Sequence, residues 1–295
     1  MENSLWIFYA ALVAVFVAAR RVTNQHFRWP ALDLVFATKL FLCVFTLPFL
    51  FFITWPTSPW FYFFTILTGP FAYYKDMVLY DFTAKFGAGV VTRIEPLSVP
   101  LVFIAWLLLD FSLFQKQIEM PLVFAGIVLC IGAATFFTSR LRHCSVNKKV
   151  LRAMVPLVIC SGMLNLIGKG STEYMPDDSS VLVYIFVQSV IIVAISVWRL
   201  GMASAKQVLV FKDNKLLTGV LFLGLSLFVV IGLRMLAIKG AANPAYATSV
   251  MLTGPFWVLL FNRLLKHKEE GNIVNGIGIV VSVILLAFLA TFYRH

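Results

Sequence analysis

The sequence predicts an all-α integral membrane protein of ten transmembrane helices, arranged as two inverted five-helix repeats, and three observations carry that expectation. First, 61% of the 295 residues are hydrophobic and only 13% are charged, with a mean hydropathy of +0.92. No soluble domain fits that balance. Second, the apolar residues fall in blocks of ~20 separated by short polar breaks, the length a helix needs to cross hydrocarbon, whereas a barrel shows alternating blocks of ~10. Third, each half holds an odd number of blocks, so a second copy of the first half enters the membrane upside down.

The ten spans are read at residues 4–22, 31–54, 60–82, 86–109, 120–138, 151–169, 180–200, 216–238, 244–265 and 273–292. The first begins after Met1-Glu2-Asn3-Ser4 without a basic flank and runs to Ala19, so it reads as a retained span and not a cleaved leader. Trp55 and Trp60 bracket the Pro56-Thr57-Ser58-Pro59 turn as interfacial aromatics do. The net charge of +11 is compatible with nucleic acid, but most Lys and Arg sit in the breaks between apolar blocks. Their distribution is a topology signal. Sixteen follow spans one, three, five, seven and nine, and four (Lys116, Lys169, Lys239 and Arg294) lie on the opposite side. The rich side is therefore expected in the cytoplasm, with both termini outside. Cys43, Cys130, Cys144 and Cys160 lack CxxC spacing, and His26, His143, His267 and His295 lack ligand spacing, so no metal or other cofactor is expected. Neither a phosphate loop nor HExxH nor GxSxG occurs, which argues against an enzyme.

The repeat is visible in short matches. Thr92-Arg93-Ile94-Glu95-Pro96-Leu97 in span four corresponds to Met251-Leu252-Thr253-Gly254-Pro255-Phe256 in span nine, an offset of 159. The same offset carries Lys75 of span three onto Arg234 of span eight. Phe124 to Val128 in span five resembles Asn275 to Val280 in span ten, and the first repeat is set at residues 1–145, the second at 146–295.

Charges buried within the spans are the candidate functional groups. From Trp60 to Asp110 the chain reads as two helices joined by a turn near Ala84 to Gly89, carrying Lys75, Asp76, Arg93 and Glu95 at mid-depth. An ionised group there costs several kcal/mol unless it pairs or faces a wet cavity. An antiparallel pairing sets Asp76 level with Arg93 and Tyr74 level with Glu95; a simple Asp76–Arg93 lock is the competing reading. Lys39 lies nine residues into span two, too deep to reach either surface, and offers its charge to a solute or ties helices together through Asp33 or Asp76. Gln188 is its counterpart in span seven. Glu95 stands ~200° from Arg93 around the helix and so cannot pair with it, which leaves it as a candidate proton-coupling group. Pro96, Pro100 and Pro255 each free a helical carbonyl and mark candidate hinges. Tyr73, Tyr74, Tyr80, Tyr184 and Trp257 are candidate cavity-wall aromatics. Gly87, Gly89, Gly254, Gly276 and Gly278 read as close helix contacts.

The five-plus-five layout, the proline-centred fourth and ninth spans, the basic residue midway along span two and the glycine-bearing last span of each half resemble the drug/metabolite transporter superfamily, in its ten-helix EamA-like branch. The likeness covers nearly the whole chain. It implies a central cavity lined by Lys39, Lys75, Arg93, Glu95 and Arg234, with spans five and ten peripheral. Lys268-Glu269-Glu270 after span nine fits the family pattern, while Asp110 to Lys116 after span four departs from it. Termini facing outward also differ from many relatives. The expected function is secondary transport of a small polar or amphiphilic organic solute, an amino acid or organic acid, through a net cationic site that favours an anion or zwitterion. Protons are a candidate coupling partner, and a bacterial cytoplasmic membrane is the expected location. A flippase for a lipid or lipid-linked sugar is the alternative, and an integral-membrane enzyme the third.

Overall fold

The computed structural model describes residues 5–27, 30–86, 95–141, 148–202, 214–265 and 272–292, and the described residues form α-helices and 3-10 turns without a strand. The helices are α1 (Leu5–Phe27), α2 (Ala31–Thr46), α3 (Pro59–Phe86), α4 (Ser98–Leu109), α5 (Phe111–Glu119), α6 (Pro121–Arg140), α7 (Lys148–Glu173), α8 (Ser180–Met202), α9 (Asn214–Gly240), α10 (Pro244–Met251), α11 (Gly254–Leu264) and α12 (Ile273–Phe292). A 3-10 turn, Leu47–Phe51, extends α2, and another, Glu95–Leu97, precedes α4.

The surface identifies the solvent. Leu122, Phe52 and Leu108 are 87, 86 and 79% exposed, whereas Lys39, Asn165, Gln188 and Asn262 are buried. Large apolar side chains outside and polar ones inside suit a hydrocarbon surround. Polar residues on the spans answer their own backbone: Thr65 donates to Phe61 O at 2.7 Å, Thr138 to Ala134 O at 2.7 Å and Ser249 to Ala245 O at 2.7 Å. These three hydroxyls need no water. The chain is an integral, multi-pass membrane protein.

The expected ten spans are not all present as such. Eight described helices are long and apolar enough to cross a membrane, or nine if α4 and α5, bent by 101° at Asp110, count as one broken span. Helix α3 has 28 residues, ample length, but its tyrosines, threonines, Pro70 and the Lys75-Asp76 pair make it too polar to qualify. Helix α4 has 12 residues, ~18 Å, short of a full crossing. Asp110 ends it and starts α5 by accepting from Leu113 N at 3.1 Å. The turn expected at Ala84 to Gly89 is still helical through Phe86, and residues 87–94, Arg93 among them, lie outside the described residues. Cys144 and His26, His143, His267 and His295 also fall outside the described side chains.

A two-residue turn interrupts span nine just before Pro255. Helix α10 ends at Met251 and α11 starts at Gly254, leaving Leu252-Thr253 as a turn. Pro100, expected as a hinge, sits in the first turn of α4, where a missing N–H costs nothing.

Neighbouring helices pack in pairs: α1 on α9, α3 on α7, α2 on both α8 and α9, α3 on α8, α1 on α10 and α11, α4 on both α7 and α10, and α6 on α12. The last pair lies against one flank, with Gly126 under Leu289 and Gly278 under Phe137. At one end of the bundle, Asn24 Nδ2 of α1 donates to the Tyr80 carbonyl of α3 at 3.4 Å. At the far end Trp6 covers Gly240, and Gln117 donates to the Tyr246 hydroxyl at 2.6 Å. Lys239 meets Asp178 at 2.8 Å, and Lys169 meets Glu173 at 3.0 Å.

Candidate functional site

A cavity of ≈ 150 Å³ lies between the helices, walled by α1, α2, α3, the start of α4 with the turn before it, α7, α8, α9, α10 and α11. That volume holds on the order of ten water-sized spheres. Of the side chains expected at a site, Lys39, Lys75, Asp76, Tyr80, Gln188 and Arg234 line it together, as do Pro96 and Pro255. Sequence separation of up to 195 positions is closed by the bundle.

The central contact joins Lys39 Nζ to Asp76 Oδ2 at 3.3 Å. One turn along α3, the Tyr80 hydroxyl accepts from Arg20, whose guanidinium carbon also stands 5.9 Å from the Tyr80 ring centroid. At a third point Arg234 donates to Asn165 Oδ1 at 2.6 Å. Gln188 Nε2 donates to Thr68 Oγ1 at 2.9 Å and to the Tyr184 hydroxyl at 3.0 Å. Amide and hydroxyl partners orient these groups without neutralising the arginines.

Three expected residues stand elsewhere. Tyr74 is 42% exposed on the outer face of α3. Trp257 packs on Ala18, Val22 and Val258 and stacks near Phe256 and Phe261, outside the cavity wall. Pro100 borders a second, almost wholly apolar groove of ≈ 460 Å³ between α4, α5 and α6. Arg93 and the Glu95 side chain lie outside the described residues.

The wall also contains Arg20, Arg21, Asn24, Thr83, Ser161 and Asn165, which hydropathy does not pick out. Arg20 and Arg21 look like the polar flank of span one, yet α1 continues to Phe27 and draws both inside the bundle. The signal was available for Asn165: an amide inside the apolar run Met163 to Ile167 has no reason to be there except a polar neighbour. Several of these atoms remain without a hydrogen-bond partner although buried, namely Arg20 Nε, Asn24 Oδ1, Thr83 Oγ1 and Asn165 Nδ2. Buried polar groups are nearly always satisfied, so such atoms converging on one cavity mark a place for water or a polar ligand. Among the described residues no three His, Cys, Asp or Glu side chains converge as a metal cluster.

No protein-family model matches the chain, and no curated protein matches its sequence. A solved crystal structure of a protein shares its fold, with a TM-score of 0.65 and 11% identity, over 98% of this chain and 96% of that one. At that identity the likeness speaks for the whole fold alone.

Proposed function

We propose that this protein is a secondary carrier of a small anionic or zwitterionic organic solute, working by alternating access between two inverted five-helix halves of the drug/metabolite transporter type. The observation that carries the reading is the polar cavity at the centre of a lipid-facing bundle, where Lys39, Asp76, Arg20 and Arg234 are gathered from both halves of the chain. Buried charge around a cavity at membrane depth is a transport signature more than a structural one.

Helix neighbours support the inverted repeat. Matching span one with six, two with seven, three with eight, four with nine and five with ten turns the main packed pairs into other packed pairs. The α1–α9 contact becomes α3–α7; α2–α9 becomes α3–α8; α1 on α10 and α11 becomes α4–α7. The α2–α8, α4–α10 and α6–α12 contacts map onto themselves. An inverted repeat about an in-plane twofold would give such a pattern. Under the same matching Lys39 corresponds to Gln188 and Lys75 to Arg234, all four on the cavity wall. Helix α3 then serves as a span shielded by its neighbours.

The far end holds few of the chain's Lys and Arg, among them Lys239, paired with Asp178, and Lys169, paired with Glu173, which fits an outward-facing end under the positive-inside rule. The wall residues of α1 run from Val13 to Asn24, toward the other, basic end. The lipid-flippase alternative gains nothing from the apolar groove, since it shares no described lining residue with the charged cavity.

Purified protein reconstituted in liposomes is expected to take up small organic anions or amino acids from a radiolabelled panel, with Lys75→Gln and Arg234→Gln each slowing uptake by about tenfold or more. Chemical turnover of the panel without movement across the bilayer discards the carrier reading in favour of an enzyme.

A further inference from the structure

The same cavity narrows the solute, an inference that takes from the carrier reading only the identity of the site. We infer that the ligand is an elongated organic dianion with an acidic group at each end and no ammonium, of the dicarboxylate type.

Of the three wall arginines, Arg20 and Arg234 define the ends. Arg234 is held by Asn165 and Arg20 by Tyr80, both neutral partners. Among the described residues neither arginine meets a carboxylate, so each keeps its charge for a ligand. At each end a buried donor also waits unfilled. Asn165 is 0% exposed and its Nδ2 has no acceptor, and the Nε of Arg20 has none either. An acidic oxygen beside each arginine supplies what those donors lack.

The spacing follows from helix register. Helices α1 and α9 are antiparallel, and Trp6 Cβ lies 2.9 Å from where a Cβ on Gly240 would stand. Six residues back from Gly240 brings Arg234 level with Leu12 of α1; Arg20 is eight residues further, ~12 Å along the axis. Each guanidinium is held at its own level, by Tyr80 of α3 and by Asn165 of α7, so an acidic group is assigned to each.

A zwitterion is disfavoured by the same wall. The charged partner an ammonium would use is a carboxylate, and Asp76, the one carboxylate among the described wall residues, is taken by Lys39 at 3.3 Å. Releasing it leaves a buried lysine unpaired.

The test is equilibrium binding and thermal shift on the purified full-length protein with succinate, glutarate and adipate against butyrate, glycine and inorganic phosphate, the last carrying its charge on one centre. At least one dicarboxylate is expected to bind about tenfold or more tighter than all three comparators, and Arg20→Gln and Arg234→Gln each to bring it down to the butyrate level. Should either variant fail to fold, the wild-type series decides by itself. Glycine, butyrate or phosphate binding as tightly as the best dicarboxylate overturns the inference, as does the absence of any dicarboxylate binding, or a preference that survives both substitutions. Tight dicarboxylate binding without flux in liposomes overturns the carrier reading and leaves this inference standing; flux of a zwitterion with no dicarboxylate binding does the reverse.

Discussion

Lys39 of α2 and Asp76 of α3 meet at 3.3 Å in the wall of the central cavity, with the lysine 2% exposed and the aspartate 17%. Two charges so placed cost desolvation that their attraction only partly offsets, and removing one leaves the other buried and alone. Asp76→Asn and Lys39→Met are therefore each expected to destabilise by about 3 kcal/mol or more, while the double variant recovers most of that loss. Thermal and denaturant unfolding of the four proteins in one detergent completes the cycle. Additive losses would show that the pair has no coupling and that each residue acts through other neighbours.

A second lock holds the far end. Gln117 of α5 donates to the Tyr246 hydroxyl of α10 at 2.6 Å, the two side chains 0 and 1% exposed. Tyr246→Phe keeps the ring in its packing against Phe103 and leaves the glutamine amide unanswered, at a cost of about 1–3 kcal/mol. Hydrogen exchange at the start of α10 is expected to quicken in the variant. Unaltered exchange and melting would mean that ring packing alone fastens α5.

Much of this site was legible because buried charge in an apolar run has few explanations. Lys39, Asp76 and Arg234 stand out against their neighbours in the sequence, and the structure brings them to one cavity. The break before Pro255 was legible for a similar reason, since proline cannot complete the helical ladder. Arg20 and Arg21 were not: at the edge of an apolar block, hydropathy reads an arginine as the end of a span, whereas α1 is longer and carries them inward. Trp257 and Tyr74 misled because aromatic type says nothing of which helix face they occupy. Helix α3 shows the opposite failure of hydropathy, where length and packing make a helix whose tyrosines and threonines lower its apolar score.

Outside the membrane, Asp177 anchors the entry to α8. Its Oδ1 accepts from Ser179 Oγ at 2.7 Å, Ser180 N at 3.0 Å and Ser180 Oγ at 3.0 Å. These bonds, the Ser179 hydroxyl first, hold its carboxyl below the usual aspartate range. A depressed folded value means the contribution is whole above ~4, where the unfolded residue is ionised, and fades as pH falls through the lower folded value. Asp177→Ala is expected to cost about 1 kcal/mol at neutral pH, with the difference from wild type closing in acid. A difference that stays constant from pH 7 to pH 3 would assign the loss to loop packing instead.

The contact between α6 and α12 makes a prediction that compares two glycines. A Cβ on Gly278 would lie 2.8 Å from Cγ of Phe137 and 2.9 Å from both ring Cδ atoms, so the whole ring must move. A Cβ on Gly126 would meet Leu289 Cδ1 at 2.8 Å, the far end of a side chain that turns aside by a rotamer change. Overpacking of a rigid neighbour costs about 1–3 kcal/mol, so Gly278→Ala is expected to lose that much and Gly126→Ala distinctly less. Phe137→Leu in the Gly278→Ala background makes room and restores part of the stability, which a clash elsewhere would not allow. Equal melting temperatures for the two alanine variants would show that α6 and α12 slide apart as rigid bodies, and that the close approach of these helices is not set by the glycines.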